Sequence, residues 1–387
     1  MNKRVVFFGG TFDPPHREHI AMAKACYDKF RPNAFVVMPT AIPPHKKTFF
    51  SASAEDRLRM CGLAFAQIPS VEISDFEIAR GGKSYSYVTV GALHEKYPDA
   101  EIIFLMGTDM LSTFGEWKNP SEILRFSTPC LVVREGENET REKSVSGFKE
   151  KFGREIYTLD YVGKDVSSTD FKIDYMLGLD VSEMVSEEVF GYLRDRGLYR
   201  NEYFDFVRQN LKPSRVIHTA GVIKEALRLA KRLGEDPEKT VCAAVLHDCA
   251  KYLDYKDYPE FVLGKDVPEP VIHQYLGAYI AEKVLGEKDE EILDAIKYHT
   301  SGRPAMTTLG KIIFVADMIE GNRNYPELNE LRAAVEKDFD EGFVLCLEKS
   351  VEFVLGKKSN IYKLSVDALD YYKQKNNRRK IWKQTKK

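Results

Sequence analysis

The chain has 387 residues, 43% of them hydrophobic, and a formal net charge of −2 at pH 7. That length accommodates two domains with full cores, and the near-balanced charge excludes the bulk cationic signature of a nucleic-acid-binding protein. No apolar run approaches the roughly 20 residues of a membrane span, and the six cysteines lack a CxxC pair and read as reduced thiols, so a cytoplasmic protein without a membrane anchor is expected.

The first strand is predicted over Val5–Phe8, with Gly9-Gly10 forming a tight turn that allows close backbone approach, and Thr11-Phe12 leading into a Pro14-Pro15 loop. An amphipathic helix is predicted from near His16. His16 and His19, three apart, then share a face at a helix N-terminus, where unpaired N–H groups and the macrodipole attract anions. A glycine turn, a helix start and two imidazoles together suit a phosphate whose charge grows during reaction. Further strands are predicted at Ala34–Pro39, Val71–Ser74, Ile102–Met106, Cys130–Val133 and Ile156–Leu159, with helices such as Ala54–Ala66 and Ser86–Lys96 between them. The alternation predicts an α/β doubly wound, mainly parallel sheet of Rossmann-like type, with ligands bound beyond the carboxyl ends of its strands.

The string from Gly9 to His19 resembles the GGTFDPxHxGH signature of the nucleotidyltransferase superfamily, most closely the nicotinate-mononucleotide adenylyltransferases. Glu18 stands where that family has glycine, and a carboxylate there is expected to crowd or repel nucleotide phosphates. The resemblance continues along the chain. The proline-stiffened loop Pro39–Lys46 would bring Lys46, with His45, to triphosphate. Ser84–Thr89 is similar to the family's SYTxDT run, with Val88 in place of Asp, which implies that Thr89 contacts the pyridine carboxylate. Met106–Leu111 with Trp117 looks like GxDxL…W, which implies that Asp109 anchors the strand end and Trp117 stacks on the pyridine ring. Val166–Lys172 resembles ISSTxxR: Ser167, Ser168 and Thr169 offer helix-start groups to phosphate, and Lys172 keeps the family arginine's charge without its fork.

The resemblance implies adenylyl transfer from ATP to nicotinate mononucleotide, giving deamido-NAD and pyrophosphate. Gly9, Gly10, Thr11 and Phe12 would line the nucleotide site, His16 and His19 would stabilise developing phosphoryl charge, and Mg²⁺ would ride on ATP oxygens. The amidated mononucleotide is the alternative substrate.

Beyond Arg200 the pattern becomes all-α, with helices predicted over Val216–Leu233, Thr240–Lys251, Val271–Val284, Ile292–His299, Thr308–Ile319 and Gly342–Leu355. Domains of 1–200 and 201–387 follow. Of the eight histidines, His218, His247, His273 and His299 fall here, joined by Asp248 and Asp317 on successive apolar segments. Imidazoles and carboxylates inside a helical bundle need partners. A metal ion supplies one, and mixed N/O ligation suits Fe, Mn, Co or Zn better than Mg²⁺ alone.

His218–Val222, Leu246–Lys251, Ile272-His273, His299–Leu309 and Ala316–Arg323 resemble, in order, the HD phosphohydrolase superfamily, and within it the symmetrical diadenosine tetraphosphate hydrolases. Gly321 replaces a proline usual in that family. The resemblance implies an all-α HD-type domain in which His218, His247, Asp248, His273, His299 and Asp317 hold two metals, iron or manganese, with Asp248 bridging. Lys251, Arg303 and Arg323 would neutralise the polyphosphate of Ap4A, which is cleaved to two ADP. A non-catalytic nucleotide-sensing module is the alternative, and a homo-oligomer is left open. The Lys373–Lys387 stretch, with eight basic residues in fifteen, reads as a solvated tail or a helix end.

Overall fold

The computed structural model describes residues 3–42, 49–134, 138–164, 166–264, 266–357 and 361–385, with backbone alone at 133–134, 138–141 and 377–385. Lys46 and His45 lie outside the described residues, as does the end of the basic C-terminal stretch. The chain divides into two compact units, Met1–Lys172 with Asp180–Tyr199, and Ile173–Leu179 with Arg200–Lys387.

Among the described residues of the first unit, six strands form one parallel sheet: β1 (Lys3–Gly10), β2 (Ala34–Pro39), β3 (Val71–Ile73), β4 (Ala100–Gly107), β5 (Thr128–Arg134) and β6 (Tyr157–Gly163). Their order is β3-β2-β1-β4-β5-β6. Helices cover such a sheet on both faces, so its central strands must be apolar throughout. Val5–Phe8 and all of Ala34–Pro39 are accordingly buried. The order reverses between β1 and β4, which opens a crevice beyond their carboxyl ends, where β1 delivers Gly9-Gly10 and β4 delivers Gly107.

The expected turn at Gly9-Gly10 is corrected, because β1 runs through both glycines and the left-handed residue is Phe12, at φ 48°. The glycines serve close packing instead. A Cβ on Gly9 would meet the Phe7 ring at 2.8 Å, and one on Gly10 the Phe12 ring at 2.9 Å. The predicted strands and helices otherwise recur with ends moved by a few residues, and Ala34–Pro39, Ser86–Lys96 and Thr308–Ile319 recur unchanged.

The second unit is helical, with Pro213–Leu233, Pro237–Leu246, Ile272–Lys283, Glu290–Lys297, Thr308–Ile319 and Phe339–Gly356 among its main helices. Gly234, left-handed, ends one helix. Asp236, accepting from the N–H groups of Glu238 and Lys239, starts the next with Pro237 behind it. The helix expected over Thr240–Lys251 stops at Leu246. There His247 Nδ1 bonds the Ala244 carbonyl at 2.6 Å, and the backbone passes into i→i+3 turns, Cys249 N–H to Leu246 and Lys251 N–H to Asp248. All six cysteines are buried and free, and no helix among the described residues is long and apolar enough to cross a membrane.

Two candidate active sites

The start of the first helix is built by its two histidines. His16 is the N-cap of Arg17–Phe30, not a residue within it. Its Nδ1 accepts from the His19 N–H at 3.3 Å, while His19 Nδ1 accepts from the His16 N–H at 3.1 Å. This is a capping box made of imidazoles, and it stacks the rings at 3.6 Å between centroids and 20° between planes. With both Nδ1 atoms accepting, the proton of each neutral ring resides on Nε2, a donor suited to a phosphate oxygen.

Glu18 is turned to other work than the sequence suggests. Its carboxylate accepts from the Tyr161 hydroxyl at 2.8 Å and the Lys164 N–H at 2.9 Å, which ties the helix to the end of β6. Lys172 also differs from the expected triphosphate contact. Only 4% exposed, it donates to Asp13 Oδ2 at 3.0 Å and to the Phe49 carbonyl at 2.6 Å, and lies 4.4 Å from the Phe49 ring centroid. Asp13 Oδ1 accepts from the Tyr199 hydroxyl at 2.7 Å and the Ala52 N–H at 3.0 Å. Arg57, buried, donates to the Thr11 carbonyl at 2.9 Å. Together these contacts clamp the segment Thr11–Asp13 that leads to His16.

Ser168 donates to the Pro14 carbonyl at 2.8 Å, and Ser167 caps its helix by accepting from the Asp170 N–H at 3.0 Å, with Thr169 in the first turn. Thr89 is 1% exposed and donates to Glu77 at 2.5 Å, an inward commitment that differs from the expected pyridine-carboxylate contact. Burial raises the Glu77 pKa despite hydrogen bonds from Ser84 and Thr89, and no hydrogen-bond partner meets its second oxygen among the described residues. Nothing in the local pattern distinguished Glu77 from a surface acid. Asp109 sits exposed in the first turn after β4. Trp117 packs on Phe114 at 5.3 Å between centroids and donates to Thr113 at 3.3 Å.

In the second unit the six expected ligands come together. His218 Nε2 lies 3.0 Å from Asp317 Oδ1, and Asp248 Oδ1 lies 3.2 Å from His273 Nε2 and 3.4 Å from His299 Nε2. His218, His247 and Asp248 form one group of potential ligands, and Asp248, His273 and His299 another, each with its atoms within 4.8 Å of one another. Asp248 is common to both.

Three buried atoms here, His218 Nε2, His247 Nε2 and Asp248 Oδ1, have no well-aligned hydrogen-bond partner among the described residues. Clustered lone-pair nitrogens and oxygens of this kind are what a cation satisfies, so the residues fit a divalent metal pair. Burial pushes the His247 pKa down to about 3 and lowers that of His273, whereas at His218 burial is outweighed by hydrogen bonds to Asp317 and Glu320, which raise the pKa. Burial opposes the ionised form of Asp248, yet the surrounding His247, His273, His299 and Lys251 outweigh it and hold the pKa well below the carboxylate range.

Supporting contacts orient the set. His247 Nδ1 and His299 Nδ1 are held by the Ala244 and Ile296 carbonyls at 2.6 and 2.8 Å. Arg215 donates to Asp248 Oδ2 at 2.9 Å and Glu320 meets His218 Nδ1 at 3.1 Å; neither was singled out from sequence, although Glu320 follows Asp317 at helical spacing. Gly221 makes room for Glu320, whose Oε2 would lie 2.1 Å from a Cβ there. Lys251 stands 3.0 Å from His273 Nε2 and 3.5 Å from Asp248 Oδ1. Arg323 donates to the Asp317 carboxylate at 2.5 Å. Arg303 is not brought to this cluster: its guanidinium forks onto Asp294 at 2.9 and 3.0 Å, which differs from the expected polyphosphate contact.

A family model described as Cytidylyltransferase-like matches residues 7–172, and one described as HD domain matches residues 215–322. The symmetrical bis(5'-nucleosyl)-tetraphosphatase of Bacillus subtilis is 37% identical over 170 residues, 42% of this chain and 91% of that protein. A probable nicotinate-nucleotide adenylyltransferase of Gloeobacter violaceus is 34% identical over 200 residues, 51% of this chain and 97% of that protein. A Mycoplasma genitalium protein named probable nicotinate-nucleotide adenylyltransferase/Ap4A hydrolase is 26% identical over 359 residues, 90% of this chain and 98% of that protein.

Proposed function

Because the chain belongs to the nicotinate-nucleotide adenylyltransferases through its first half and to the HD-domain symmetrical bis(5'-nucleosyl)-tetraphosphatases through its second, we infer that one polypeptide carries two nucleotide reactions. It is a nucleotidyltransferase and a hydrolase: ATP and nicotinate mononucleotide give deamido-NAD and pyrophosphate, and Ap4A gives two ADP. We assign the first reaction to residues 1–200 and the second to 201–387, and place both in the cytoplasm.

In the first reaction a phosphate oxygen of the mononucleotide attacks the α-phosphorus of ATP. The bond from that phosphorus to the bridging oxygen breaks, and pyrophosphate leaves with its electron pair; no protein nucleophile is required. His16 and His19 direct Nε2–H donors at the oxygens where charge develops. Gly9, Gly10, Thr11, Phe12 and the helix start at Ser167, Ser168 and Thr169 shape the phosphate cradle, Lys46 adds charge, and Mg²⁺ accompanies ATP. Lys172 acts through Asp13, as a positioning residue. Asp109 and Trp117 place the pyridine ring, and Thr89 holds its wall through Glu77.

The second half uses divalent metal ions, and we assign His218, His247, Asp248, His273, His299 and Asp317 as their ligands, with iron or manganese fitting the mixed N/O set. Metal ions held there supply Lewis acidity and activate water. Hydrolysis adds water across the central phosphoanhydride of Ap4A: one β-phosphorus gains the water oxygen, the other ADP leaves, and the protons divide between products and solvent. Lys251 and Arg323 set positive charge beside the ligands. The observation that carries this reading is the convergence of buried, unsatisfied nitrogen and oxygen atoms on Asp248.

Product analysis tests it. Metal-loaded protein should convert Ap4A to ADP alone, and ATP with nicotinate mononucleotide to deamido-NAD faster than ATP with the amide. AMP and ATP as the Ap4A products would contradict symmetrical cleavage, and metal binding without turnover would favour the sensing module.

A further inference from the structure

A pocket of about 550 Å³ opens beside the metal-ligand cluster, within the size range, about 300–1,000 Å³, of small-molecule sites. One end of its wall is His299 and Asp317, two of the proposed ligands; the other is formed by Lys349, Ser350 and Phe353 of the helix Phe339–Gly356. Between them lie Arg323 and Tyr325. The Tyr325 hydroxyl donates to the Met318 carbonyl at 2.7 Å, which fixes the phenol ring in place. Phe353 is 62% exposed, an unusual position for a phenylalanine on a helix that buries Phe343, Cys346 and Leu347. An aromatic wall continuous with a phosphate-cleaving cluster suits a nucleobase attached to that phosphate, since every base offers a face for stacking.

We propose that this pocket is the nucleoside subsite of the hydrolase, with Phe353 and Tyr325 taking the purine and Arg323 meeting the phosphate that joins it to the reacting centre. The proposal rests on the hydrolase reading. Symmetrical cleavage attacks the β-phosphorus, so a single α-phosphate separates the reaction from the ribose. A subsite whose wall itself includes ligand residues is therefore correctly placed for a nucleoside on so short a tether. Inorganic polyphosphate of the same length carries the reacting bond and lacks the base, so Phe353 discriminates between the two.

The full-length, metal-loaded protein tests this with Phe353→Ala, a change at a side chain exposed enough not to threaten folding. KM for Ap4A should rise by about tenfold, within the range for losing one base-stacking contact. The preference for Ap4A over inorganic tetraphosphate, as a ratio of kcat/KM, should fall by the same factor, and Phe353→Trp should restore both. Leu355→Ala, at an equally exposed apolar residue outside the pocket, serves as the control. An unchanged KM and an unchanged ratio in Phe353→Ala would overturn the subsite. Should the wild-type protein hydrolyse no Ap4A, the hydrolase reading falls by itself. ADP binding to wild type and Phe353→Ala would then decide the subsite: a weaker variant supports it, and equal affinity overturns it.

Discussion

His16 does two things with one ring. Its Nδ1 caps a helix and its Nε2 is the proposed donor to phosphate, so removing the ring has two separable effects. His16→Ala should lower kcat of adenylyl transfer by roughly 10²–10³, the cost of losing one donor to developing charge. It should also cost about 1 kcal/mol of stability through the lost cap. His16→Asn keeps a capping acceptor and should recover the stability while leaving the rate low; recovery of both in a melting and kinetic comparison would reduce His16 to a cap. Glu18 shows the reverse lesson. From sequence its carboxylate is a repulsive neighbour of ATP, but Tyr161 and the Lys164 N–H hold it. Glu18→Gln should leave KM for ATP unchanged at low salt and lose about 1 kcal/mol of stability with the weakened hydrogen bonds. A lower KM would show that the carboxylate does repel the substrate.

At the scale of elements, what was legible is what the local pattern determines. Strands β1 and β2 are near-continuous apolar runs because parallel strands are buried on both faces, and Ala34–Pro39 could be read to its ends. The six proposed metal ligands stood out because each polar side chain interrupts an otherwise apolar run of sequence, although His247, Asp248 and His299 lie just beyond helix ends. Contacts across long separations were not legible: Lys172 with Asp13, Thr89 with Glu77, and Arg303 with Asp294 all depend on which loops the fold brings together. Nor was the early end of the helix at Leu246, where a histidine ring takes a backbone acceptor. The Lys172–Asp13 pair, with both side chains nearly excluded from solvent, is an element-level clamp on the loop before His16. Lys172→Met should destabilise the protein by about 3–5 kcal/mol, because it strands a buried carboxylate. Adding Asp13→Asn should return part of that loss in denaturant unfolding. If the single variant is no less stable and only KM for ATP rises, Lys172 contacts triphosphate after all.

Across the whole molecule, two nucleotide chemistries use different physical means. Adenylyl transfer needs positioned donors and no ionised nucleophile. Hydrolysis of a phosphoanhydride needs activated water, and the second half gathers the buried nitrogen and oxygen atoms proposed to hold metal for it. The two sets of residues share no side chain, so the activities should separate by mutation. Asp248 is where the claim is most exposed, since it belongs to both candidate ligand groups and an amide preserves its shape while removing its charge. The decisive measurement is parallel assay of Asp248→Asn for bound metal after dialysis, Ap4A hydrolysis and deamido-NAD synthesis. The account predicts that metal content falls, that hydrolysis drops by more than roughly 100-fold, and that adenylyl transfer continues at the wild-type rate. A variant that keeps its metal and its hydrolase rate, or that loses both activities while remaining folded, would contradict it.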